Sequence, residues 1–251
     1  MKQPLPSRAS SLGLLGWSVR LHKWISLAVG LQVLFWILGG LVMTAIPIGV
    51  VRGEHHAPPP AAAGLDVAGL IPLAEAVRAA GFDPVKAELR QTPRGAVWML
   101  SRSKGDPVTL DARTARPLAA FKAEDALDLA RQGYAGDAAP VSARLLAEAP
   151  QETGKSGPLW RVDFDDPERT ALYLSPVTGE TVSRRSNVWR FYDLFWRLHI
   201  MDWPTGEDFN NPLVIAAAAI SLVLVITGFV LLFQRLRRDL ASSRHRPPRQ
   251  G

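Results

Sequence analysis

The chain has 251 residues, 47% of them hydrophobic, a net charge of +6 and no cysteine. The missing thiol excludes a disulfide framework, a thiolate zinc or iron–sulfur site, c-type haem attachment and a cysteine nucleophile. The charge is not a nucleic-acid footprint: residues 1–23 carry +4 and residues 234–251 carry +5, leaving −3 for the remainder, and basic ends around a mildly acidic middle point to membrane topology.

In chain order, residues 1–23 read as a cytoplasmic segment and residues 24–48 as a first transmembrane helix. No charge interrupts "WISLAVGLQVLFWILGGLVMTAIPIGV", which exceeds the ~20 apolar residues that a span needs. A cleaved signal peptide has a shorter apolar stretch and an A-x-A site, which is missing here, so the run reads as an uncleaved anchor. Residues 49–66, with "GEHHAPPPAAAG", read as a proline- and alanine-rich linker. It holds His55 and His56, a pair able to catch a metal ion but ordinarily just solvated.

The stretch 67–186 predicts two similar units. "IPLAEAVRAAGF" (71–82) and "AEDALDLARQGY" (123–134) are helical; "AVWMLSR" (96–102) aligns with "PLWRVDF" (158–164), and "VTLDARTARPL" (108–118) with "LYLSPVTGETV" (172–182). Each unit, 67–121 and 122–186, is expected to be one helix and three strands, and the alternating "RVDF" and "LYLS" fit half-buried antiparallel strands. The expected fold class is therefore α+β, with helices on one face of the sheet. Between residues 57 and 198 there is no histidine, no Gly-rich phosphate loop and no hydrolase motif. Asp163, Asp165 and Asp166 cluster at a strand end before Pro167, where turn capping explains them. This region reads as a binding or scaffolding module.

Residues 187–208 predict an interfacial amphipathic helix and loop. Val188, Tyr192, Phe195 and His199 share its apolar face, and Asp193 and Arg197 are spaced for an i,i+4 pair. Residues 210–234 form a second span and 235–251 a basic cytoplasmic tail. Arginine and lysine at the outer ends of both spans place both termini in the cytoplasm. The region 52–208 then lies outside, in the periplasm if the membrane is the inner membrane of a Gram-negative bacterium.

Arg-Leu-His occurs twice, as Arg20–His22 and Arg197–His199, each between tryptophans. His22 falls at the cytoplasmic mouth of the first span and His199 on the outer side. The 25 residues from His22 to Pro47 cover roughly 37 Å, so the two cannot ligate one ion within a chain. Two readings stay open. Arg, His and Trp near helix ends are ordinary interfacial anchors. Alternatively, the imidazoles hold a b-type haem between facing helices, two copies of the chain supplying a pair at each membrane face. Ser26-x-x-x-Gly30 offers a notch for close approach of a helix or flat ligand.

"RLHKWISLAVGLQVLFWILGGLVM", the outer units, "FYDLFWRLHIMD" and the final span together resemble the PepSY-associated transmembrane proteins. The most specific parts are Arg20, His22, Trp24, Ser26 and Gly30, and Leu198–Asp202. Larger members of the family that the chain resembles act as inner-membrane reductases of siderophore-bound ferric iron, with haem held by membrane histidines. The resemblance implies PepSY-like outer units, His22 and His199 as ligands of haem b, and Arg20 and Arg197 as propionate or interfacial contacts. Those reductases have four spans and more histidines, so this two-span chain is expected to need a homodimer or a partner membrane subunit. With no flavin or nicotinamide motif, electrons would come from the quinol pool or another protein and pass to a ferric chelate. The alternative is a non-enzymatic periplasmic module anchored by two spans, which partners a peptidase or respiratory complex.

Overall fold

The computed structural model describes residues 9–58, 64–65 and 67–243. The chain divides into two bodies, one made of the N-terminal helix and everything from Asp193 onward, the other of Ile46–Tyr192.

In the first body, α1 (Ala9–Ala45) and α6 (Pro212–Ser243) are long apolar helices that contact each other. Lys23–Ala45 and Pro212–Leu240 are long and apolar enough to cross a membrane, and each is almost wholly exposed along its length. Such surface is stable only in an apolar solvent. Just after α1 the chain reaches Ile46-Pro47, where proline disfavours helix in the preceding residue. α6 begins at Pro212, whose missing N–H costs nothing at a first helical position. The Asn211 side chain accepts the Val214 amide at 3.0 Å as its N-cap.

The second body is α+β with two small antiparallel sheets. A single turn of helix, α2 (Ile48–Val51), leads in. Next come α3 (Leu73–Ala80) and the sheet β1 (Lys86–Thr92), β2 (Gly95–Ser101), β3 (Val108–Asp111). Then α4 (Ala123–Gly133) precedes the sheet β4 (Pro140–Leu146), β5 (Leu159–Phe164), β6 (Ala171–Leu174), β7 (Thr181–Arg185). α5 (Asn187–Ile200) runs from this body into the first.

The second sheet has four strands where three were expected. The cause is the turn after β6. Ser175 N bonds Glu180 O at 2.9 Å and Gly179 N bonds Ser175 O at 3.0 Å, so the chain reverses fully and pairs as β7. The turn after β3 carries the same two bonds, Asp111 N to Arg116 O and Ala115 N to Asp111 O. There the returning chain makes only an isolated bridge, Leu110 to Pro117, closed by the Asp111 N to Arg116 O and Leu118 N to Thr109 O bonds, and pairs no further.

Period-2 alternation sorts the second sheet into two faces. Trp160, Val162, Phe164, Leu172 and Leu174 join α4 through Ala126 and Ala130 in the main core. Leu159, Ala171 and Tyr173 point the other way. A smaller core under α3 is built on Ala76, Leu100 and Leu110. The sheets are tied by Arg94, which donates to the Ala119 carbonyl at 2.8 Å and the Val177 carbonyl at 2.6 Å.

Candidate functional site

The last carbonyls of a helix have no intrahelical donor. In α5 these are met by side chains. Gln32 Nε2 donates to the Leu198 carbonyl at 3.3 Å, Trp36 Nε1 to the His199 carbonyl at 2.7 Å, and Asn211 Nδ2 to the Ile200 carbonyl at 2.9 Å. Two of the three donors belong to α1, so the end of α5 is fastened to the first span. Buried Gly39 permits the approach: a methyl there would lie 3.4 Å from both His199 Nδ1 and the Phe195 carbonyl. His199 Nδ1 is buried with no hydrogen-bond partner, and the Trp36 and His199 rings lie 6.5 Å apart, tilted by 55°.

This geometry revises the expected position of His199. It lies beside the first span at Trp36–Gly39, not beyond the end of that span. Gly39 is seventeen positions after His22 in α1, roughly 26 Å, less than the 37 Å reckoned to Pro47. His22 belongs to α1, but its side chain lies outside the described residues. The two histidines stay well apart within one chain. The notch expected at Gly30 meets nothing within 4 Å, whereas Gly39, nine residues on, is the close-approach point.

The rest of the second Arg-Leu-His segment is structural. Arg197 Nε pairs with Asp193 at 2.7 Å, as its spacing predicts, and Arg197 also donates to the Trp203 carbonyl at 2.9 Å. The Arg197 guanidinium therefore braces its own helix and the loop that follows, and the expected propionate or interfacial contact is left to a proposal. Arg20 is exposed on α1. Met201 ends α5 at a φ of 55°, and buried Asp202 organises the loop that follows. It accepts the Thr205 hydroxyl and, at 3.0 Å each, the Glu207 and Asp208 amides. These bonds, the Thr205 hydroxyl foremost, hold its carboxyl well below the usual range.

His55 and His56 are not in open chain. They follow α2 in an ordered turn, and His56 is only 15% exposed at its side chain. Its ring stacks on Tyr134 at 5.7 Å and 6°, and its carbonyl accepts the Ala135 amide at 2.7 Å. Glu168, from the β5–β6 turn, approaches both imidazoles: 3.0 Å from His56 Nε2 and 3.6 Å from His55 Nε2. Burial alone would raise the Glu168 carboxyl, but His56 and His55 outweigh it and hold it lowered. Asp166 takes the turn role expected of it, accepting the Thr170 amide at 2.7 Å, and also accepts the Tyr134 hydroxyl at 2.8 Å. Burial and that bond push the Tyr134 hydroxyl up to about 12.

A third feature lies on the face of the second sheet away from α4. An open groove of about 740 Å³ is lined by Glu152, Arg161, Asp163, Arg169 and Arg190 among others. Arg161 and Arg144 hold the Asp163 carboxyl below its usual range against the opposing effect of burial.

The family profile of the PepSY-associated TM region matches residues 19–250, taking in both apolar helices and everything between. The chain belongs to the PepSY-associated TM family. It is a membrane protein with two apolar helices around an α+β region. No curated protein matches it, and no solved structure does. For a PepSY-associated protein the cofactor to test is haem. One chain offers the orphaned imidazole of His199 at the Gly39 level, with no second imidazole facing it among the described residues. One chain alone would therefore not hold a haem between two imidazoles; His199 would be its single contribution from this segment.

Gly39 and Glu168 escaped the sequence reading. Gly39 had a local signal, the Gly39-Gly40 pair inside a span. Glu168 had none, being 112 positions from His56.

Proposed function

We propose that this PepSY-associated protein is an electron-transfer component of a bacterial inner membrane, working as a homodimer or with a partner membrane subunit. Both termini are cytoplasmic and the α+β region is periplasmic. The observation that carries the reading is the placement of His199: an imidazole built into a helix contact by Trp36 and Gly39, with a buried, unpartnered Nδ1. Such intramembrane imidazoles are characteristically ligands or proton carriers. With Nδ1 turned to α1, Nε2 is the nitrogen left for a ligand. In a dimer, His199 and its copy would hold one haem b and His22 and its copy another. Haem, when bound, supplies one-electron transfer between the two levels. The protein's own part is orientation: Trp36 fixes the backbone of His199, Gln32 that of Leu198, and Asn211 joins the end of α5 to the start of α6. Ferric chelates are the proposed acceptor class and the quinol pool or a second protein the donor. The two outer sheets are read as a duplicated PepSY-like unit, supported by the matching turns after β3 and β6.

Haem and mass analysis of the tag-free protein, purified in mild detergent from haem-supplied cells, tests this. About one haem b per chain in a dimer or larger complex is expected. Haem-free protein that is well folded would reject it.

A second reading rests on the charged groove. Arg161, Arg169 and Arg190 beside Glu152 and Asp163 suit a polar peptide, so the outer region would bind a periplasmic peptidase or respiratory partner without chemistry of its own. Haem-free protein with groove-dependent capture of such a partner is the result this reading expects.

A further inference from the structure

We propose that His55, His56 and Glu168 form a binding site for a divalent transition-metal ion of the zinc class. It is separate from the haem reading, since its residues belong to the outer α+β body.

One donor atom from each residue lies within 4.8 Å of the others. Tetrahedral ligands at ~2.0–2.1 Å from a zinc ion stand roughly 3.4 Å apart. Glu168 Oε2 lies 3.0 Å from His56 Nε2 and Glu168 Oε1 lies 3.6 Å from His55 Nε2, separations close to that figure for a carboxylate shared by two imidazoles. A simple ion pair explains the cluster less well. His56 Nε2 and Glu168 Oε2 are buried and 3.0 Å apart, and the same carboxylate meets a second imidazole, His55, at 3.6 Å. Two imidazoles gathered on one carboxylate converge on one space, as ligands of one cation do.

Metal-bound imidazoles are normally oriented by a surrounding layer of contacts. Here His56 stacks on Tyr134, which donates to Asp166, whose Oδ2 lies 3.9 Å from His56 Nδ1. Asp166 thus lies on the Nδ1 side of the ring, and Nε2 faces Glu168. Two imidazoles and one carboxylate suit zinc, copper, nickel or ferrous iron and not magnesium or calcium. The half-exposed His55 leaves one side of the site open to water or a further ligand. A bound ion fastens the turn after α2 to the β5–β6 turn.

The test is calorimetric titration of the tag-free, chelator-treated full-length protein in mild detergent with zinc sulfate, alongside magnesium sulfate. One zinc ion per chain and no magnesium are expected. His55→Ala and Glu168→Gln should each weaken zinc binding by about tenfold or more. His55 is exposed enough for its variant to fold, which circular dichroism confirms, and its haem content should equal the parent's. Absence of zinc binding overturns the proposal. So does equal affinity in parent and both variants, or a loss caused only by His22→Ala or His199→Ala.

Discussion

Gly39 is the position where the packing account can be tested most sharply. Its Cα faces α5 closely enough that an added Cβ would sit 3.4 Å from His199 Nδ1, 3.4 Å from the Phe195 carbonyl and 3.5 Å from His199 Cβ. These are van der Waals contacts, so Gly39→Ala fits without displacement. It also removes the conformational freedom of a mid-helix glycine, worth about 0.5–1 kcal/mol. Gly39→Leu must push three more carbons into the same contact. Over-packing of this kind costs about 1–3 kcal/mol, and α5 can yield only by giving up the Trp36–His199 and Gln32–Leu198 bonds. Denaturation in dodecyl sulfate titrations from mild detergent, followed by near-ultraviolet circular dichroism, reads the difference. The alanine variant should match or slightly exceed the parent, and the leucine variant should fall below both, with its haem signal reduced. Equal stability of leucine and alanine variants would refute the packing of α5 on Gly39.

Trp36→Phe deletes the donor to the His199 carbonyl and should cost about 1 kcal/mol in the same titration, without changing the α+β region's far-ultraviolet spectrum. Ala115 holds a φ of 57° where the matching turn has Gly179 at 74°, so Ala115→Gly should stabilise the chain by about 1 kcal/mol; no gain would mean the turn is unstrained. Leu172→Ala, at a fully buried site, should cost about 2–5 kcal/mol, measured by thermal unfolding. The Asp163 carboxyl is lowered in the fold, so its contribution is present above the unfolded carboxyl range of about 4 and is lost as pH falls through the lower native value. Acid unfolding of Asp163→Asn should therefore show a shallower pH dependence than the parent.

The spans were legible because an uncharged run of that length has few other homes, and the Asp193–Arg197 pair because helix geometry dictates i,i+4 contact. The strands around Trp98 and Trp160 were legible from alternation. What escaped depends on long-range contact. Gly39 differs locally from Gly30 only in being followed by Gly40; the arrival of α5 is what selects it. Asp202 reads in sequence as part of a motif with histidine, but its carboxylate is occupied by its own loop. The fourth strand β7 depends on how far the chain goes on pairing after its turn, and His56 packs on the ring of Tyr134, far along the chain.

The central claim concerns the two Arg-Leu-His histidines. The most direct measurement is the reduced-minus-oxidised absorption spectrum of the parent, His22→Ala, His199→Ala and the double variant, each purified in mild detergent from haem-supplied cells. The account predicts a b-type signal in the parent, loss of a distinct part in each single variant, and none in a folded double variant. A flat parent spectrum, or equal haem in the parent and the double variant, would contradict it.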